Sequence, residues 1–184
     1  ISTDMVVEDV HFLDGVSSPE DVAHKSLMVN LSDVAAMGAK PVATLLSLSL
    51  PESAQGVWSE EFMRGYYEAS KREGVALVGG DTTASRDRIT INVVAIGRVR
   101  QENIKRRSAA KVGDTIAVTG KLGASSKGLV DIMFGDMNTE AARIHRLAQA
   151  RIAEGIYLGT RHEVHAMMDL SDGIASDIRH IMEL

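Results

Sequence analysis

The strongest constraint on this chain is a repeated switch in its apolar spacing. Runs of period two, which suit the two faces of a strand, alternate with runs of period three to four, which make a helix stripe. The opening run Ser2 to Phe12 reads as a strand with Asp4, Val6, Glu8 and Val10 on one face and Thr3, Met5, Val7, Asp9 and His11 on the other. Ser18-Pro19-Glu20-Asp21 then signals a helix start, and Ala23, Leu27, Leu31, Val34 and Ala35 form one stripe that stops near Gly38, with Pro41 just beyond. Val42 to Leu50 alternates as a strand, and Pro51 ends it. Ser59 to Arg72 is helical, with Phe62, Met63, Tyr66 and Ala69 on one side and Gly74 as its stop. A short strand, Val75 to Val78, runs into the turn Gly79-Gly80-Asp81-Thr82-Thr83, and the β-branched run Ile89 to Val99 is the strongest strand.

Beyond it, polar Gln101 to Lys111 reads as a linker. Thr115 to Thr119 opens a second unit, followed by a loop at Gly120 to Gly128, a break at Gly135 to Thr139 and a helix over Glu140 to Leu158. Met167 to Asp169 is read as a short strand leading into Ser171-Asp172-Gly173, then a closing helix to Leu184. The alternation makes the class α/β or α+β.

Composition narrows the chemistry. The 184 residues carry 20 basic and 25 acidic side chains and no cysteine. Disulfides, thiolate zinc sites and cysteine nucleophiles are therefore excluded within these residues. The net charge of −5 argues against a nucleic-acid surface, and no apolar run suits a membrane span. Ile1 is not an initiator residue, so the natural start is expected upstream. A cytoplasmic address fits the lack of cysteine.

What remains is oxygen and imidazole chemistry. Four short motifs place an acid beside a hydroxyl or glycine: Ser2-Thr3-Asp4, Asn30-Leu31-Ser32-Asp33, Gly79-Gly80-Asp81 and Asp169-Leu170-Ser171-Asp172-Gly173. Hard cations such as magnesium take oxygen ligands of this kind, with phosphates completing the shell. An aspartate after a strand is nevertheless more often a turn former or a helix cap, and Asp172 fits that role as well. Asp33 sits inside a helix pattern, where a turn does not explain it but an exposed helix face does. Gly79-Gly80 reads equally as an ordinary turn or as a place where backbone amides approach a phosphate. The common nucleotide-loop spacings are absent. His162 and His165 are read as surface residues, the nine methionines as core filling, and Arg106 and Arg107 as linker charge or a phosphate clamp.

In order, these motifs are far more specific than any one of them. Ser2 to Glu8, Val10-His11-Phe12, Val29 to Ala39, Val78 to Thr83, Arg107 with Gly113-Asp114, Val118-Thr119-Gly120 and Met168 to Ile174 together resemble the thiamine-monophosphate kinase family. That family lies within a superfamily of ATP-dependent enzymes that includes aminoimidazole ribonucleotide synthetase. The resemblance implies transfer of a phosphoryl group from ATP to thiamine monophosphate, with several magnesium ions and no covalent phosphoenzyme. It implies an N-terminal mixed sheet with flanking helices over residues 1–106, forming a barrel in a homodimer and holding ATP and metal. Residues 107–184 would be the start of a C-terminal α+β domain. Carried over by position, Ser2, Thr3, Asp4, Asp33, Asp81, Asp169 and Asp172 match the magnesium pattern. Gly80, Asp81, Arg107 and Ser171 match ATP contacts, and His11 matches a substrate contact.

Phosphoryl transfer asks for positioning and charge neutralisation more than for a protein nucleophile, so direct in-line attack by the already ionised monophosphate is expected. Two departures stand out. Asp9 replaces the glycine usual in the family, and members are longer, with a Gly-Asp-Asp segment upstream of Ser2 and a thiamine-contacting segment downstream. The chain is therefore expected to be part of a longer protein. Rival readings are another ATP-dependent enzyme of the superfamily, a non-catalytic binding or assembly module, and a structural domain in which the aspartates are only caps and turns.

Overall fold

The computed structural model describes residues 1–183. Four strands, β1 (Ser2–Val7), β2 (Lys40–Leu50), β3 (Ala76–Ala84) and β4 (Thr90–Arg98), form one mixed sheet in the order β1-β4-β2-β3. β4 is antiparallel to both β1 and β2, while β2 and β3 run parallel, joined through a helix crossover. β1 and β3 are thus the two free edges.

Helices α1 (Pro19–Ala36) and α2 (Val57–Glu73) cover one face of the sheet. α1 starts where the Ser18 hydroxyl accepts the Asp21 N–H at 3.1 Å, and it closes where Gly38 and Ala39 donate back to the carbonyls of Ala35 and Val34. α2 stops at Gly74 in the left-handed conformation. The core fills with Leu27, Leu31, Phe62 and Tyr66 from the helices and Val6, Leu46, Leu48, Leu50, Ile91 and Val93 from the sheet. Trp58, Phe62 and Tyr66 stack along α2 at 5.3 and 6.1 Å between ring centres. The Tyr66 hydroxyl donates to the buried Thr44 hydroxyl at 3.0 Å, so its polar end is satisfied inside the core. Met63 departs from its expected side of the helix and is 37% exposed.

Several boundaries differ from the sequence reading. β1 ends at Val7, and residues 8–12 turn back on themselves through bonds from Asp9 N–H to the Phe12 carbonyl and from His11 N–H to that of Val7. The expected turn at Gly79 to Thr83 lies inside β3, because an edge strand paired with β2 continues through it. Gly80 is required there by packing: a Cβ would fall 1.7 Å from the Leu46 carbonyl oxygen.

After β4 the described chain contains helices and extended runs but no strand. α3 (Ala124–Met133) begins inside the expected loop at Gly120 to Gly128. The expected helix over Glu140 to Leu158 is split into α4 (Glu140–Arg146) and α5 (Ile152–Gly159). Docking onto α1 explains the break. Arg146 pairs with Asp21 at 2.7 Å, and the ring of His24 bonds the Ala148 carbonyl at 2.7 Å, so tertiary contacts override local propensity. α5 crosses α1 closely at Gly155, where a Cβ would lie 2.3 Å from the Ala35 carbonyl oxygen. Met167 to Asp169 forms no strand, since no neighbouring backbone ladders with it. The closing helix is two short turns, α6 (Ile174–Asp177) and α7 (Arg179–Met182), and its expected end at Leu184 lies outside the described residues.

Candidate functional site

The pleat of β1 decides which acids can meet. Ser2 and Asp4 point to the helix-covered face, and α1 presents Asp33 to them: the Ser2 hydroxyl donates to the Asp33 carboxylate. Fully buried Asn30, three residues before Asp33 and on the same helix face, fixes this arrangement. Its carbonyl oxygen accepts the Asp4 N–H at 2.9 Å and its amide donates to the Ser26 carbonyl at 3.0 Å. From the far end of the chain, Asp169 comes close to Asp33 and to the Ser32 hydroxyl.

Asp33 is the hub of this group. Burial pushes the Asp4 carboxyl above its ordinary range, with the Asp33 charge adding to the rise and His11 opposing it. Burial, then the Asp33 charge, raises Asp169 as well, against Ser32 and the more distant Arg107. Among the described residues, no lysine or arginine forms a salt bridge with any of the three acids. Equally, no three acidic or imidazole groups of the described chain converge into a ready-made metal cage.

The other expected residues divide. Thr3 lies on the opposite face of β1, accepting an N–H from Asn92 at 3.0 Å. Asp81 lies on that same open face, in a row with Ser47, Asn92 and Met5. Gly80 is in the row of Asp4 but at the far edge of the sheet. Ser171 and Asp172 are exposed on a loop that a residue missed in the sequence holds in place. The carboxylate of Asp177, 1% exposed, accepts the backbone N–H groups of Ser171, Asp172 and Gly173 at 2.9, 3.2 and 3.2 Å. Asn30 stood inside a quoted motif and its helix spacing to Asp33 was a usable signal; Asp177 had none apart from the fold. His11 Nδ1 accepts the Val7 N–H at 3.1 Å, which leaves Nε2 as the ring's proton carrier when neutral.

Beside Ser32 and Asp169 opens a cavity of about 660 Å³, walled by the end of α1, the run Gly113 to Leu122 and the run Glu163 to Leu170. Aliphatic residues line much of it, together with charged groups of both signs, Asp114, Lys121, Arg151, Glu163 and Asp169.

The site thus lies where one edge of a mixed sheet, covered on one face, meets the helices docked on α1. Residues 1–99 match the family described as AIR synthase related protein, N-terminal domain, and the chain belongs to that family. Among curated relatives, the chain is 39% identical over 188 residues to thiamine-monophosphate kinase of Buchnera aphidicola subsp. Acyrthosiphon pisum, covering 99% of this chain and 56% of that protein. It is 34% identical over 195 residues to thiamine-monophosphate kinase of Bacillus subtilis, covering 100% of this chain and 58% of the relative. Among solved structures, AaThiL complexed with AMPPCP and TMP superposes with a TM-score of 0.91 at 33% identity, over 99% of this chain and 59% of that one. The chain thus spans a little over half the length of the relatives it matches.

Proposed function

We propose that the protein transfers the γ-phosphoryl group of ATP to thiamine monophosphate, giving ADP and thiamine diphosphate, and that magnesium is held by the aspartates. The observation that carries this reading is that Asp4 and Asp169, from distant segments, each lie near Asp33 without a salt-bridge partner. Both are held above their ordinary range by burial and by Asp33, an arrangement that suits a divalent cation. The donors fit magnesium by type: carboxylates with the Ser2 hydroxyl, all hard oxygens. Bound there, magnesium would neutralise phosphate charge during transfer.

The chain's own residues then have separable tasks. Asp4, Asp33 and Asp169 hold the metal, Arg107 balances triphosphate charge beside Asp169, and Asp177 keeps Ser171 and Asp172 presented. No general base is needed, because the attacking phosphate oxygen is already ionised and the reaction exchanges one P–O bond for another.

Thr3, Gly80 and Asp81 enter this reading through a second copy. β1 and β3 are the outer strands of a four-stranded sheet, so Asp81 lies about 14 Å from Asp4 of β1, three spacings of about 4.8 Å. Both edges are open, and the uncovered face carries Met5 at 54% and Leu45 at 37% exposure. A homodimer closed into a barrel, with β3 of one copy beside β1 of the other, would set Asp81 on the strand next to that of Asp4, on the face that carries Thr3, while burying that face. The same reading divides the chain near residue 106 into the metal-binding, dimerising domain and a partial second domain, and it places the enzyme in the cytoplasm. Among the described residues no helix is long and apolar enough to cross a membrane.

Incubation of the full-length protein with ATP, magnesium and thiamine monophosphate should yield thiamine diphosphate, and Asp33→Ala and Asp81→Ala should each abolish turnover. Full activity in both variants would overturn the metal assignment. Mixing the two inactive variants tests the shared site: one intact site in half of the dimers should restore about a quarter of wild-type activity. No recovery by dimers shown to exchange subunits would place Asp81 outside a shared site.

A further inference from the structure

α3 and α4 form a helix pair with almost no apolar anchoring to the rest of the chain. The two helices lie so close that a Cβ on Gly128 would fall 2.0 Å from the Ala141 carbonyl oxygen. Among the described residues, Ala142 is the one buried apolar side chain of the pair, while Leu129, Val130, Met133 and Phe134 are exposed. Apolar burial therefore contributes little to holding the pair on α1. Its ties to α1 are polar instead. Arg146 reaches Asp21 at 2.7 Å, and just beyond α4 the Ala148 carbonyl bonds the His24 ring at 2.7 Å.

The geometry at His24 requires a neutral ring. Its Nδ1 faces the Arg72 guanidinium of α2 at 2.8 Å, and arginine can only donate, so Nδ1 carries no proton and Nε2–H donates to Ala148. Burial, aided by the Arg72 charge, holds His24 below the ordinary histidine value, against the Ala148 bond and the charges of Asp21 and Glu73. Both acids are committed elsewhere, Asp21 to Arg146 and Glu73 to Arg72 at 3.4 Å. A second imidazole, His145 of α4, bonds the Ser125 hydroxyl of α3 through Nδ1 at 3.0 Å. Burial and then the charge of Lys25 on α1 lower it in turn. The other charges of the pair are matched internally, Lys127 with Asp131 and Arg143 with Glu140.

We propose that the α3–α4 pair is an acid-opened flap, latched to α1 by the neutral His24 ring and loosened further when His145 takes up a proton. A proton on His24 Nδ1 sets N–H against the N–H of Arg72 and removes that hydrogen bond. A proton on His145 adds a cation beside Lys25. Lys25, Arg72 and Arg146 already outnumber Asp21 and Glu73 at this joint, so each added proton meets an excess of positive charge. Once released, both rings return to the ordinary value of 6.5, and the open form takes up protons before the closed one as pH falls. Closure is therefore fully favoured above 6.5 and weakens below it. α5 keeps its own crossing with α1 at Gly155, so the flap opens without releasing the segment that leads to Asp169.

Hydrogen exchange of the full-length protein between about pH 7.5 and about pH 5.5, with rates corrected for their intrinsic pH dependence, tests the latch. Protection of the α4 amides should fall about tenfold or more over this range, while that of β2 and α5 stays unchanged. His24→Gln keeps a side-chain donor that cannot become charged, and it should abolish most of the fall. Arg72→Gln, at an exposed position, removes the opposing cation and should reduce the fall to about threefold or less. His162→Gln, an exposed histidine outside the joint, should leave it as in the wild type. Constant protection of α4 across the range, or an equal fall in His24→Gln and Arg72→Gln, would overturn the flap. A parallel fall in β2 would overturn it as well, because it would mark general acid unfolding.

Discussion

The two stretches of this chain, up to the end of β4 and after it, use their apolar residues in opposite ways. Every buried apolar residue of the described chain except Ala142 lies at or before Ala95. Beyond that point Ile116, Val118, Leu122, Met133 and Phe134 are exposed by 43% to 88%. The first stretch closes its own core between sheet and helices. The second is anchored from outside, by the Gly155 crossing, the Arg146–Asp21 pair, and the His24 ring on the Ala148 carbonyl at 2.7 Å. Stability should therefore reside in the first stretch, while the acids of the candidate site depend on how the second is held against it.

The largest expected effect sharpens that contrast. Phe62→Ala should destabilise the chain by about 3–5 kcal/mol in urea unfolding, whereas Phe134→Ala, at an 88% exposed position, should change it by less than about 0.5 kcal/mol. Similar losses in both variants would break the comparison.

Asn30→Ala comes next, at about 2–3 kcal/mol, because it strands the Asp4 N–H and leaves a small cavity in the core. Its cost should appear in global unfolding. Asp177→Ala should act locally instead, with faster hydrogen exchange at Ser171, Asp172 and Gly173, by about tenfold or more, and an unchanged sheet. Equal acceleration in β2 would show that the two stretches unfold as one.

The acids give a pH prediction in the metal-free protein. Asp4 and Asp169 have folded values raised above the ordinary 3.8, so the folded state takes up protons before the unfolded one as pH falls. Stability should accordingly rise as pH drops through those raised values towards 3.8, and the penalty should be fully present at neutral pH. Asp169→Asn should recover part of it, about 1–3 °C in Tm at neutral pH, while weakening magnesium binding. A lower Tm in this variant would contradict the like-charge description.

The smallest effect concerns Asp9, which has φ +63, a conformation costly for a residue with a Cβ. Its Arg88 partner, 3.5 Å away and half exposed, offsets little. Asp9→Gly should therefore raise stability by about 0.5–1 kcal/mol in thermal unfolding.

Much of the first stretch was legible because its signals are local. Ser18-Pro19 and Gly38 delimit α1 by backbone chemistry confined to a few residues, and Leu46, Leu48 and Leu50 alternate because one face of β2 is buried. The same alternation correctly separates Asp4 from Thr3 before any coordinates. The second stretch was less legible: α4 and α5 are split by contacts with His24 and Asp21, more than a hundred residues earlier, and no local pattern encodes such a partner.

The acidic motifs show the same division. Residue type and pleat settle that oxygen ligands are available and that Asp4 faces the helices, since both follow from side-chain chemistry and the period of a strand. Strand order alone places Asp81 at the far edge of the sheet, and helix docking alone brings Asp169 to Asp33 and His145 to Lys25. Those proximities join residues distant in sequence, and chain packing is what sets the distance between them.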